Sequence, residues 1–573
     1  MKSSTVSPVQ AACPHPNRLR RLHELPGPRG LPLLGNALEL EPTELHRLVS
    51  RWADRYGQMF AFKVATQRIV VVADPETIQS MLRERPGLFR RWRKLETIAT
   101  DIKADGLFTA EGTDWRRQRK FVTYALNAGH VREFIPRLEE VTGRLRRRWW
   151  QAALAGTPVD VRGDLMRLTV DVTSGLAFGR DINTLEEQTD PIQNHLDKIF
   201  PAVARWLPAP FPYWRYLKSA ADRETADAVE KVGKLIDALI AETRKRLAAS
   251  PELRAKPTNL LEALVAAHDS DEGGPSDEEI AANVMTMLLA GEDTTANSIA
   301  YMIHFLKEYP QVQAAVQEEV DRVFGMTEQP WQDPGTADKL RYIEAFANES
   351  LRCKPVAGHV VFLEPNEDMQ IQDVFVPKGT PVFALIGYPA TQEANFEDAK
   401  AFRPERWLQP ADSAGCPHNT GSHNTGSHNT RAFMPFGSGP RFCPGRQLAM
   451  LQIKMVISML CRDFEVRHQQ DAPALQDAYN FTVGPTNVSA VLHPRRPVRR
   501  GTDIELRIGE RRSLVIPISF PERRIHGRRS ADAASRRHAA EQRARERRAL
   551  ALPISFPERR AGERRREHTA SVG

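Results

Sequence analysis

Ten consecutive residues, Phe436-Gly437-Ser438-Gly439-Pro440-Arg441-Phe442-Cys443-Pro444-Gly445, set a single thiol in a segment dense in glycine and proline. Such a composition suits a tight turn rather than a strand or helix interior. A cysteine held in that frame can bring its thiolate to a metal from one fixed direction, while backbone N–H groups aimed at the sulfur tune its charge. An axial ligand to a haem iron needs those properties. The remaining cysteines, Cys13, Cys353, Cys416 and Cys461, bring the total to five, scattered and without a CxxC or other paired spacing. That argues against a disulfide framework and against an iron–sulfur module.

Three further groups could act with this thiol. Ala290-Gly291-Glu292-Asp293-Thr294-Thr295 falls in the middle of a helix predicted to open with Pro275 and a Ser276-x-x-Glu279 capping box and to close before Pro310. A mid-helix glycine beside adjacent hydroxyls suggests a local opening of that helix. Glu349-x-x-Arg352 has the spacing of an ordinary helical ion pair, and Pro404-Glu405-Arg406 follows downstream. Trp115-Arg116-Arg117-Gln118-Arg119 offers guanidinium groups of the kind that pair with carboxylates in bidentate fashion.

Around these residues, Met59–Ala73 predicts two short strands about Ala65-Thr66-Gln67, followed by Asp74-Pro75 as N-cap and first turn of a helix. Long helical patterns dominate thereafter. Strand signals return at Met369–Val376 and Pro381–Leu385, before the loop-rich approach to Cys443.

The pattern Phe-x-x-Gly-x-Arg-x-Cys-x-Gly, met by Phe436, Gly439, Arg441, Cys443 and Gly445 and followed by Ala449, resembles the haem-binding loop of the cytochrome P-450 monooxygenases. The resemblance runs in order from about Leu25 to Pro494. It implies a mainly α fold with small β-sheets in a single large haem domain, with haem b as cofactor and Cys443 as its iron ligand. Asp293 and Thr294 resemble the acid-alcohol pair that delivers protons to dioxygen, with Ala290 and Gly291 in the same groove. Trp115 and Arg119 would reach the haem propionates together with Arg441, and Glu349, Arg352 and Arg406 would form a buried structural network supporting the cysteine loop. The implied reaction inserts one atom of dioxygen into a small lipophilic substrate, with electrons from a separate donor, either a ferredoxin with its reductase or a flavoprotein reductase. Arg116, Arg117 and Lys120 offer a docking surface for an acidic donor.

Two other readings compete with this one. A haem-thiolate peroxygenase or isomerase would need no electron donor, but peroxide-using relatives carry Arg-Pro where this chain keeps Asp293-Thr294. A non-catalytic haem sensor would need neither. The chain also departs from the family at Cys353-Lys354-Pro355-Val356-Ala357, which lacks a second proline, and around Tyr388–Gln392. The first departure bears on the shape of the substrate wall, for which the candidates are Trp92–Phe108, Ala290, Thr294 and Val356–Val360, and the second on the local contacts of its own turn rather than on the fold.

The chain has 573 residues, 41% of them hydrophobic, enough for one large core. Its net charge of +8 would hint at nucleic acid, but from Gly501 to Gly573 there are 18 Arg against 10 Asp or Glu, so the excess belongs to the tail. The expected organisation is a flexible extension over 1–24, a haem domain over 25–495, and a basic, disordered tail over 496–573. Within the domain, three His-Asn-Thr copies over 418–430 predict an expanded surface loop. Leu25–Asn36 resembles the proline-rich opening that follows a membrane anchor in microsomal relatives. With no run near the roughly 18 apolar residues of a membrane span, the expectation is a soluble, cytoplasmic form with eukaryotic-like motifs and no transmembrane anchor.

Overall fold

The computed structural model describes residues 18–495 apart from 188–190, 271–273, 326, 328–329, 334, 358, 409–428 and 470–472. The tail over 496–573, residues 1–17 of the N-terminal extension and all but Asn429 and Thr430 of the His-Asn-Thr repeat lie outside the described residues. Arg20 is fastened to Asp373, through backbone N–H to carbonyl oxygen at 2.8 Å and Nη2 to Oδ1 at 2.6 Å.

Helices dominate, and the Asp277–Glu308 helix runs among them as the main support. The capping box read from the sequence is present: Ser276 Oγ accepts from the Glu279 N–H at 3.2 Å, and Glu279 Oε2 accepts from the Ser276 N–H at 2.8 Å. Its 32 residues span about 48 Å at 1.5 Å per residue. The helix is continuous through Gly291, so the local opening expected there does not occur. Thr294 and Ser298 each donate a hydroxyl hydrogen bond to the carbonyl four residues back, at 2.8 Å, and the helix tolerates both. Gly291 has a packing reason: a Cβ there would lie 2.6 Å from Thr173 Oγ1 of the Val161–Phe178 helix.

Twelve strands form four small sheets among the described residues. They are β1 (Met59–Val64), β2 (Gln67–Val72), β3 (Phe89–Arg91), β4 (Val159–Asp160), β5 (Val361–Pro365), β6 (Met369–Ile371), β7 (Val374–Val376), β8 (Val382–Ala384), β9 (Phe464–Arg467), β10 (Asp477–Asn480), β11 (Thr482–Pro485) and β12 (Ser489–Pro494). The largest sheet has the order β1-β2-β8-β5-β3, with β2 and β8 parallel and the other pairs antiparallel. Its strands and the Pro75–Arg83 helix bury Val70, Val72, Ile78, Met81, Leu363 and Val382 together. Asp74 caps that helix as expected, accepting from the Thr77 N–H at 2.8 Å. The Met369–Val376 strand signal resolves into a hairpin, because Gln372 adopts φ +52° between β6 and β7. β10 and β11 form a second hairpin that the sequence reading missed, although Tyr479, Phe481 and Val483 alternate with smaller or polar residues across it.

Glu349, Arg352 and Arg406 meet in the interior, at 0%, 1% and 3% exposure. Arg352 donates Nε to Glu349 Oε2 and Nη2 to Oε1, both at 2.9 Å, and Arg406 Nε reaches Oε1 at 3.1 Å. Trp407 Nε1 and the Arg403 N–H complete the set, at 2.9 and 2.8 Å. Burial alone would raise the Glu349 pKa, but the hydrogen bonds and charge of Arg352 hold it below the usual carboxylate range. The spare guanidinium N–H groups are used on the carbonyls of Ala390, Glu397, Ala399 and Ala401. The Tyr388–Gln392 departure therefore still supplies a carbonyl, from Ala390, to this network.

Glu349→Gln is expected to lower stability by about 3–5 kcal/mol, because it leaves two buried guanidinium groups short of a charge. Glu465→Gln, which removes an exposed pair with Arg467, is expected to leave the denaturation midpoint unchanged. Equal midpoints for the two variants in chemical denaturation would contradict the network's assigned weight.

Candidate functional site

The cysteine loop is closed by its own backbone. The Cys443 N–H donates to the Phe436 carbonyl at 2.9 Å, and Gly437 and Gly439 turn the chain between them with φ of +75° and +70°. The loop seats on the Pro75–Arg83 helix so closely that a Cβ at Gly439 would lie 2.3 Å from the Leu82 carbonyl oxygen. Gly445 then serves as N-cap of the Arg446–Asp463 helix. Burial raises the Cys443 thiol pKa, opposed by the Gly445 N–H, the Arg119 cation and the Arg446 N–H. Two backbone donors and a cation around the sulfur thus offset part of what burial costs a thiolate, while burial still leaves the thiol pKa raised.

Trp115 and Arg119 both lie beside this loop, carried by the Gly112–Ala125 helix. The Arg441 guanidinium stacks on the Trp115 ring at 4.9 Å, and that of Arg119 on the Phe442 ring at 4.8 Å. Arg441 donates Nη2 to Glu111 Oε2 at 2.6 Å, while its Nε and Nη1 are buried without a hydrogen-bond partner. These two orphaned donors lie on different edges of one planar guanidinium, and each calls for an acceptor from a further group, as a carboxylate supplies. The site therefore fits a group carrying carboxylates, as the propionates of haem b do. Arg117 is engaged by Glu279, whereas Arg116 and Lys120 are exposed.

Ala290 and Thr294 share the open stripe of the Asp277–Glu308 helix, but Asp293 faces elsewhere. Only 4% exposed, Asp293 accepts from Asn297 Nδ2 at 2.8 Å, from Arg162 Nη2 at 3.4 Å and from the Thr482 hydroxyl. Acid and alcohol are adjacent in sequence yet about 100° apart around the helix axis. Gly291 is turned towards Thr173 rather than along the open stripe.

The missed hairpin packs against two of the segments expected to meet substrate, at Phe108 and Val356. Its turn residue Phe481 takes φ +73° and meets Phe108 edge-on with ring centroids 5.9 Å apart. The Val483 N–H donates to the Val356 carbonyl at 2.8 Å, tying the hairpin to the 356–360 segment. At the position that departs from the family pattern, Lys354 Nζ pairs with Asp477 Oδ2 at 2.6 Å, and Tyr301 donates its hydroxyl to Asp477 Oδ1 at 3.0 Å. An ion pair and a hydroxyl thus anchor the base of the hairpin.

No described helix is long and apolar enough to cross a membrane. The chain matches the family model described as cytochrome P450 over residues 25–490. It is 28% identical over 442 residues to the protein LUTEIN DEFICIENT 5, chloroplastic, of Arabidopsis thaliana, covering 75% of this chain and 71% of that one. With cytochrome P450 3A6 of Oryctolagus cuniculus it shares 27% identity over 458 residues, 77% of this chain and 86% of the relative. Cytochrome P450 3A5 of Homo sapiens is 26% identical over 466 residues, 77% and 85% of the two chains.

The two loop glycines separate backbone conformation from close contact. Gly437→Ala is expected to cost about 1–2 kcal/mol, the left-handed backbone penalty alone, because nothing lies within 4 Å of the added carbon. Gly439→Ala adds the collision with Leu82, so its melting temperature in thermal unfolding should fall well below that of Gly437→Ala. The reverse order would contradict the loop's seating.

Proposed function

The chain belongs to the cytochrome P450 family, and from that premise we propose that Cys443 ligates the haem iron in a monooxygenase that hydroxylates a small lipophilic compound with electrons from a separate protein. The observation that carries this reading is the closed cysteine loop, with two backbone N–H groups and the Arg119 cation around one sulfur. Arg441, Arg119 and Trp115 would hold the haem carboxylates. When bound, haem b supplies activation of dioxygen, so that one oxygen atom enters a C–H bond and the other leaves as water.

The protein's own contribution is to place substrate and to supply protons. Phe108, Phe481, Val356 and Ala290 offer an apolar wall, which favours lipophilic ligands and keeps water away from the reacting carbon. Thr294 presents its hydroxyl on the open stripe and can pass a proton there. Asp293, joined to the partly exposed Arg162, can draw that proton from the solvent side. Retention of Asp293 and Thr294 favours a dioxygen-using enzyme over a peroxygenase or sensor. Arg116 and Lys120, exposed on the helix that carries Trp115 and Arg119, suit an acidic electron carrier such as a ferredoxin or a flavoprotein reductase.

The first test is the CO-difference spectrum of the dithionite-reduced protein beside that of Cys443→Ser. A red-shifted Soret band present in the parent and lost in the variant supports thiolate ligation; a folded parent without it ends the proposal. With surrogate redox proteins and a panel of lipophilic probes, Thr294→Ala should keep the CO band while product per reductant consumed falls on the order of tenfold or more. The lost reducing equivalents should appear as peroxide. Unchanged coupling in Thr294→Ala would remove Thr294 from proton delivery.

A further inference from the structure

Arg85 ends the segment that follows the Pro75–Arg83 helix, outside every motif that the family resemblance uses. It is 4% exposed, and its Nε and Nη2 are buried without a hydrogen-bond partner. Its nearest carboxylate is Glu111, at 4.0 Å from Nη2. Glu111 is already engaged by Arg441 Nη2 at 2.6 Å and by the Arg91 N–H at 2.8 Å. The Arg85 and Arg441 guanidinium groups therefore share one carboxylate, on which the Arg91 backbone N–H also draws, and one positive charge is left unmatched. The adjacent group is balanced by comparison, with Arg90 and Arg93 facing Glu96 and Glu364.

Burying an unsatisfied guanidinium is costly, so a native protein supplies a partner for it. Burial and the Arg441 charge push the Arg85 pKa down to about 9 against the pull of Glu111, a sign that the site is short of negative charge. The missing partner must be an anion small enough to enter beside Arg441 and planar enough to take a bidentate fork. Carboxylates meet both conditions. The Leu82–Arg83 backbone meets the cysteine loop at Gly439, and Arg85 follows two residues later, close enough to Arg441 of that loop to feel its charge.

We propose that Arg85 is a positioning residue for a haem carboxylate, acting beside Arg441. This rests on the haem reading above. A second source of the same chemistry is a carboxylate-bearing substrate, and the experiment distinguishes the two.

Holoprotein carrying Arg85→Met, which keeps the apolar length of the side chain, is mixed with excess apomyoglobin and haem transfer is followed by absorbance. Loss of one charge-assisted bidentate contact should speed transfer roughly ten- to a hundredfold. Arg85→Lys, which keeps the charge but loses the fork, should fall between. Apoprotein reconstituted with haem dimethyl ester, whose carboxylates are blocked, should release it equally fast from parent and Arg85→Met. Spectral titration with laurate and with dodecanol should give the same ratio of affinities in both proteins.

Equal haem transfer from parent and variant would overturn the proposal, as would an effect of Arg85→Met that persists with the dimethyl ester, which marks a packing defect. Normal haem retention with a selective loss of laurate affinity would reassign Arg85 to a substrate carboxylate. Should the parent lack the red-shifted CO band, the haem-thiolate reading fails independently of Arg85; with the band present, any failure concerns Arg85 alone.

Discussion

A single interior carboxylate, that of Glu349, governs how the cysteine loop is held. Five N–H donors converge on its two oxygens, from Arg352, Arg403, Arg406 and Trp407. Trp407 carries the effect outward, its ring resting 4.5 Å from that of Phe433, three residues before the loop begins at Phe436. Phe433 in turn packs with Ala390, Phe396, Ala399 and Ala432. Burying the charges alone would be unfavourable, but nearly every guanidinium N–H in the network also finds a carbonyl, so the network is satisfied and therefore rigid. Rigidity is what a loop that aims one sulfur requires.

The sequence was most legible where the chemistry is local. Ser276 and Glu279 sit three residues apart and cap each other, and the Phe436–Gly445 loop carries its glycines where the backbone turns to positive φ. Both signals act within one turn of chain, so residue order suffices to read them. The Glu349 network spans more than fifty residues of sequence, and there the family pattern supplied what spacing alone could not. Gly291 was read as a weak point in its helix, but the contact that explains it comes from Thr173, far away in the chain.

The parts that stayed illegible are those assembled from single residues of several elements. Arg85, Arg91, Glu111 and Arg441 come together only when the largest sheet, the Gly112–Ala125 helix and the cysteine loop are folded against one another. No periodicity announces such a cluster. The β10–β11 hairpin carried a faint alternation, but its importance comes from where its turn lands, between Phe108 and Asp293.

That hairpin places Phe481, whose ring packs on Phe108, directly before Thr482, whose hydroxyl donates to Asp293. Neighbours in a tight turn cannot shift separately. A change of side chain at 481 therefore reaches through Thr482 to the buried Asp293 carboxylate, whose other partners include Asn297 and Arg162. On the proposed function, substrate range and proton supply become genetically linked traits.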